Sequence, residues 1–299
     1  MAAPASIPGI VDVTVLRGAS AADAPDLVIE IPHGATETVD FTRMADRLTS
    51  PLPEGLVDFF HVNTDAGAPE LALATAARLV ATDPTRTVTV VRCRVPRTFL
   101  DCNRRMDASP ADFKAGKVTP GMMPWITTAE DRALLRDAYD RYVAAVDAAV
   151  ASLRAEGAIL MLHTYAPRTV DVQVDADIVK NLRRAYEPEV AGTWPLRPEL
   201  DVIARTADGV DHAPPSVVGT LRAELAPLAL TVADSATYPL HSSTLAYHRV
   251  FARPGRALCL EVRRDLLAEP FAPFVQMNID AGKVARLAAP LATAVARFW

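Results

Sequence analysis

The chain is poor in cysteine and in aromatic residues, and it carries no long run of one charge or of apolar residues. Only three cysteines, Cys93, Cys102 and Cys259, occur in 299 residues. They are odd in number, widely spaced and form no C-x-x-C pair, which argues against a disulfide framework or a cysteine zinc site. A reducing, cytoplasmic compartment suits such a chain best. Lys and Arg total 31 against 36 Asp and Glu, a formal net charge of −5. Without a basic tract, no nucleic-acid partner is expected. No stretch approaches the ~20 apolar residues of a membrane span, so no membrane partner is expected either. Residues 1–10 lack the basic start and apolar core of a signal peptide. There is no internal repeat. Nor is there a G-x-S-x-G elbow, a phosphate-binding loop, or a G-x-G-x-x-G after the first strand, so those chemistries drop out.

What is there has ordinary globular composition, 50% hydrophobic and 22% charged, enough for a large core. Leu27-Val28-Ile29-Glu30-Ile31 reads as a buried strand. So do 87–95, 159–162 and 257–262, with 59–62 as a weaker second strand and 230–233 as a further candidate. Helical patterns fill 68–81, 128–156, 177–186, 215–225 and 281–298. Thr127 or Thr128 can cap the longest of these, and Gly157 suits its stop. This alternation predicts an α/β fold, with a central mixed, mostly parallel sheet flanked by helices in a single domain over residues 1–299. Two stretches rich in Pro, Gly, Ser and Thr, 108–125 and 233–248, read as long functional loops.

Polar residues gather at the predicted strand ends, where open α/β sheets bind their ligands. The first strand runs out at Pro32-His33-Gly34, with Glu37 close behind. The second runs out at 61–65, ending on Asp65. The third leads through Arg97 to Asp101, Asn103 and Arg104. The fourth ends at His163-Thr164-Tyr165, and the fifth carries Glu261. Two histidines and a carboxylate are a zinc donor set with an open position for water. The metal would lower the water's pKa and polarise a carbonyl. A further carboxylate could then act as general base, and arginines could hold a substrate carboxylate or steady an oxyanion. Plainer readings exist: a capping or buried role for His33, an N-cap for Asp65, a first-turn place for Glu37 favoured by the helix dipole, and partnership with Asp101 or Asp107 for Arg97 and Arg104. Glu261 is the hardest to explain plainly. A glutamate inside an apolar strand is costly to bury without a purpose, and burial raises its pKa as a base requires.

At these residues the sequence resembles the N-formylglutamate amidohydrolase family, a distant relative of the zinc carboxypeptidases and aspartoacylases. Pro32-His33-Gly34-Ala35 matches the family's P-H-x-G with the glycine one place early. Thr64-Asp65 matches a later T-D. Arg97, Asp101, Asn103 and Arg104 match R-x-x-x-D-x-N-R. His163, Thr164, Tyr165 and Arg168 match a strand ending in histidine, a polar pair and an arginine, and Leu260-Glu261 matches a late L-E. The resemblance spans about residues 27–268 as islands in a shared order. It implies a phosphorylase/hydrolase-like α/β fold with one divalent metal per chain, zinc first and another divalent ion second. It implies hydrolysis of the amide bond of an N-formyl or N-acyl amino acid. His33, His163 and Asp65 are the implied ligands, with Glu37 the alternative to Asp65. Relatives with H-x-x-E use that glutamate, whereas here the spacing is His33-x-x-x-Glu37. Glu261 is the implied general base and Arg104 the best anchoring arginine. Arg97, Asn103, Tyr165, Arg168, His241 and His248 are candidate substrate contacts. The late loop Tyr238 to Thr244 lacks the family's Gly-Gly pair. It would cover the substrate, which opens the choice beyond formylglutamate. Two rival functions follow from the departures: a non-catalytic binding protein on the same fold, and a carboxypeptidase acting on peptides. The oligomeric state is not readable from the sequence.

Overall fold

Residues 5–116 and 118–299 are described by a computed structural model of the chain; residues 1–4 and 117 of the expected domain lie outside the described residues. Seven strands form one sheet: β1 (Val11–Arg17), β2 (Leu27–Ile31), β3 (Thr87–Cys93), β4 (Ala158–Tyr165), β5 (Leu200–Val202), β6 (Val232–Asp234) and β7 (Ala257–Arg263). Their order is β1-β3-β2-β4-β7-β5-β6. The middle four, β3, β2, β4 and β7, run parallel. β1 pairs antiparallel with β3, and β5 antiparallel with β7. The sheet is therefore mixed and mostly parallel, as predicted. β2 and β4 are buried at every position. Strands covered on both faces need continuous apolar runs, which is how they read in the sequence.

The helices are α1 (Thr38–Ala45), α2 (Val57–Asn63), α3 (Ala68–Thr82), α4 (Pro110–Ala115), α5 (Ala129–Ala151), α6 (Ile178–Ala185), α7 (Pro188–Ala191), α8 (Pro215–Leu225), α9 (Leu245–Ala252) and α10 (Ala281–Val295). One sheet face is covered by α3, α8 and α10 through Leu71, Leu79, Leu221, Leu287 and Leu291. The other is covered by α5 and α9 through Leu135, Tyr142, Val146 and Val250. Among the described residues, no helix is long and apolar enough to cross a membrane.

Several expectations change in the structure. The segment 59–62 is not a strand but part of α2. Phe59, Phe60 and His61 are all buried there. A short apolar run does not distinguish a buried strand from a buried helical turn. The strands β1, at one edge, and β5, between β7 and β6, went unread. β1 alternates Val11, Val13 and Val15 but is largely exposed, and β5 has only three residues. The 230–233 candidate is β6, shifted to Val232–Asp234. β4 runs on to Tyr165, so His163 lies within a strand rather than beyond it. α5 stops at Ser152, before Gly157. The loop 108–125 contains α4, and 233–248 contains the start of α9.

Thr128 does cap α5, its side chain accepting from the Asp131 amide. Asp131 in turn accepts from the Thr49 amide at 3.0 Å and the Ser50 amide at 2.6 Å. Burial opposes the charged carboxylate, but the bonds from Ser50 and Thr49 outweigh it and hold its pKa below the ordinary range. Asp131→Ala is expected to cost about 2–3 kcal/mol, because it strands buried amides at a helix start. Urea unfolding checks this. A depressed pKa means the contribution is complete above the ordinary aspartate value of about 4 and is lost as acid protonates the folded-state carboxylate below it.

Candidate active site

The carboxyl ends of β2, β3, β4 and β7 share one edge of the sheet because the four strands are parallel. β2 delivers His33 from the turn that follows it. Gly34 makes that turn possible: a Cβ there would lie 2.6 Å from the Arg92 side chain and 3.1 Å from the Cys93 carbonyl. Asp65 sits in the short connection between α2 and α3. Gly67 closes that connection with φ +87°, and a Cβ on it would press within 2.8 Å of Leu267. His163 projects from β4.

These three residues meet. His33 Nδ1 lies 3.2 Å from Asp65 Oδ2, and His163 Nδ1 lies 3.0 Å from the same oxygen. The two Nδ1 atoms are 3.3 Å apart. All three residues are at most 3% exposed. Three lone-pair donors this close repel one another unless protons or a cation lie between them. Their spacings approach the roughly 3.3 Å edge of a tetrahedron built on metal bonds of about 2.0–2.1 Å. The set fits a metal ion, and these are the three donors the structure brings together for one.

The far nitrogen of His33 is also fixed. Nε2 lies 2.7 Å from Asp101 Oδ1. With Asp101 accepting the Nε2 proton, Nδ1 presents its lone pair to the cluster. Asp101 is fully buried and accepts from Arg97 Nε at 2.9 Å, from the Asn103 amide at 2.9 Å, and pairs with Arg104 Nη2 at 3.1 Å. Burial alone would raise its pKa, but Arg104, His33 and Arg97 together hold it well below the carboxylate range. Asp65 is treated similarly: burial is outweighed by His33 and His163. Arg264, just past β7, donates to the Thr164 carbonyl at 3.2 Å and faces Asp65 at 3.8 Å.

Glu261 lies opposite His163 in the β4–β7 register. Among the described residues its buried Oε2 has no hydrogen-bond partner, and neither has His163 Nε2. Burial raises the pKa of Glu261; His163 opposes this and Asp65 reinforces it. A cavity of about 230 Å³ opens beside these groups, lined by His33, Arg97, Arg104, His163 and Glu261 among others.

Of the remaining candidates, Asn103 lines the cavity, and its side chain accepts from the Ala246 amide at 3.1 Å, tying its loop to α9. Tyr165 also lines it, with its hydroxyl donated to the Pro198 carbonyl. Arg168 borders the cavity and donates to the Trp194 carbonyl at 2.6 Å. Glu37 is not brought to the site. It N-caps α1 and pairs with Arg92 at 3.0 Å and Arg94 at 3.4 Å, which accounts for its irregular spacing from His33. His241 and His248 do not line the cavity either. His241 bonds Ser243 at 3.0 Å, and His248 is exposed on α9 with the Ser242 carbonyl at 3.2 Å. The Cys102 thiol is pushed well up by Cys93 and by burial, which removes it as a nucleophile. Three site residues went unassigned in the sequence. Asp101 had a signal, since it sits inside the R-x-x-x-D-x-N-R segment. Arg264 had only its place after the Glu261 strand. Arg197, from a loop before β5, had none.

A mostly parallel α/β sheet, a buried His–Asp–His donor set and a glutamate with an orphaned oxygen beside a basic cavity describe a hydrolase. The fold is shared with an N-formylglutamate amidohydrolase from Ralstonia eutropha JMP134: 18% identity, TM-score 0.58, covering 95% of this chain and 98% of that one. It is also shared with a gene product of Agrobacterium tumefaciens: 19% identity, TM-score 0.53, covering 96% and 94%. No protein of curated function matches the sequence. The family profile of N-formylglutamate amidohydrolase matches residues 25–268. The chain belongs to that family, and so to hydrolases that act on amide bonds.

Proposed function

We propose that the protein is a zinc-dependent amidohydrolase that cleaves the acyl amide of an N-formyl or N-acyl amino acid. The observation that carries this reading is the convergence of His33 Nδ1, His163 Nδ1 and Asp65 Oδ2 within 3.0–3.3 Å, buried beside the unpartnered Oε2 of Glu261. His33, Asp65 and His163 would hold the zinc. When bound, the ion supplies a Lewis acid that lowers the pKa of water and polarises the scissile carbonyl.

The chain's own residues do the rest. Asp101 holds His33 in the tautomer with Nδ1 free. Glu261 Oε2 takes a proton from the attacking water as the C–O bond forms. It then gives that proton to the amide nitrogen as the C–N bond breaks, releasing the carboxylic acid and the amine. The raised pKa of Glu261 suits both halves of this transfer. Arg104 and Arg97 stand at the cavity with their charge partly met by Asp101, so they steady the negative charge that develops on the carbonyl oxygen.

The test is metal content of the purified chain together with amine release from a panel of N-acyl amino acids. About one zinc per chain is expected, with activity lost on chelation and restored by zinc. A chain that neither retains nor takes up metal would overturn the mechanism and leave a binding protein on this fold. Cleavage of C-terminal dipeptides without deacylation would favour a carboxypeptidase instead.

A further inference from the structure

The cavity has two chemically different linings. Around the metal-ligand cluster, the arginines are already matched to acids: Arg97 and Arg104 share Asp101, and Arg264 faces Asp65. Elsewhere the lining is apolar. The chain after β4 runs extended through Val170, Val172 and Val174, alternating with exposed Asp171 and Gln173. Side chains two apart in an extended chain share one side, so the three valines form a row along the cavity. Ile178 and Leu182, one turn apart on α6, and Phe59 of α2 also line it.

Arg197 lines the same cavity and stands apart from the other arginines. Its guanidinium lies 5.0 Å from the ring centre of Tyr165 and 5.7 Å from that of Tyr238. Nε donates to Thr169 Oγ1 at 3.1 Å and Nη2 to the Tyr238 hydroxyl at 3.0 Å. Among the described residues it forms no ion pair with a carboxylate. The guanidinium is thus fixed by rings and hydroxyls while its charge is unmatched, an arrangement that suits an incoming carboxylate. Among the described residues Arg168 also lacks an acid partner, but it turns one nitrogen to the carbonyl of Trp194, which does not line the cavity.

We infer that the substrate is an N-acyl amino acid with a branched aliphatic or aromatic side chain, its carboxylate held by Arg197 and its side chain laid on the valine row. This rests on the amidohydrolase reading above. Thr169, which orients Arg197, is the residue immediately before Val170. The residue that holds the anchor and the apolar row are therefore adjacent along one segment, as carboxylate and side chain are adjacent on one Cα. The acyl group leaves that Cα through the amide nitrogen and is the part directed to His33 and His163. A glutamate side chain would put a second carboxylate against the valines, at a desolvation cost that the valines do not offset.

The first arm compares kcat/KM of the zinc-loaded protein for N-formylleucine and N-formylglutamate. At least a tenfold preference for the leucine compound is expected; a preference for the glutamate compound would overturn the inference. The second arm measures binding of both compounds by calorimetry to Glu261→Gln protein, which needs no turnover. N-formylleucine should bind more tightly. Adding Arg197→Ala should weaken it about 10- to 100-fold, with partial recovery in Arg197→Lys. Val172→Lys should weaken the leucine compound and tighten the glutamate one. In otherwise wild-type enzyme, Arg197→Ala should raise KM with kcat nearly kept. Tight binding of N-formylleucine without hydrolysis of any substrate would defeat the amidohydrolase reading, and with it the compound's standing as a substrate, while sustaining the carboxylate anchor and apolar row as a ligand site. Unaltered binding in both cavity variants would defeat this one alone.

Discussion

Glu261→Gln is expected to lower kcat by about 100- to 10,000-fold while leaving metal content and KM near the wild-type values. The substitution keeps the shape of the side chain and removes its ability to take a proton. Little else should change, because Oε2 has no hydrogen-bond partner to lose among the described residues. The same fact predicts the stability effect. A buried carboxylate next to Asp65 is opposed by burial and by a like charge, so a neutral amide should leave the melting temperature unchanged or raise it. Activity lost alongside unchanged or improved stability is the signature of a residue kept for chemistry. Full turnover in the variant would end the general-base assignment. Loss of metal from it would make Glu261 a ligand instead.

His163→Ala is expected to abolish stoichiometric zinc and, with it, hydrolysis. It removes one of only three donors, and the two that remain cannot make the closed side of a tetrahedral site. Zinc should raise the melting temperature of the wild-type chain by binding the folded state alone, and leave the variant's unmoved. A graded comparison sharpens the test. Asp101→Asn touches no ligand atom of the cluster but weakens the hold on His33 Nε2, 2.7 Å away, so it should weaken zinc binding about 10- to 100-fold without abolishing it. Equal zinc content in wild type and His163→Ala would exclude the proposed centre. Identical affinities in wild type and Asp101→Asn would remove the orienting role of Asp101.

The sequence showed the inner sheet and blurred its edges, for one physical reason. β2, β4 and β7 are buried on both faces and announce themselves by continuous apolar residues. β5 owes its existence to pairing with β7 and β6 and to the buried Asp201, which accepts from the amides of Ala236 and Thr237. No local pattern encodes that. α2 misled because Phe59 and Phe60 are buried as thoroughly as strand residues. The site divides in the same way. His33, His163 and Glu261 stood out as polar groups at the ends of apolar runs. Asp65 and Glu37 both followed apolar runs, and their order along the chain could not separate them; the turn at Gly67 and the pull of Arg92 and Arg94 on Glu37 do so in space. Arg197 acquires its character only from Tyr165 and Tyr238, residues distant from it in sequence.

The place of β7 in the sheet bears on how the chain is made. The proposed ligands His33, Asp65 and His163, and their support Asp101, all precede Glu261 in synthesis. β4 lies between β2 and β7, so until the last strand docks, the strand bearing His163 has one bare edge. A largely apolar central strand with one unpaired edge is a template for aggregation. Contacts between segments so far apart along the chain form slowly. The proposed general base thus rides on the strand that completes the pairing of β4, and a chain stalled or cut short before β7 is expected to be both inactive and sticky.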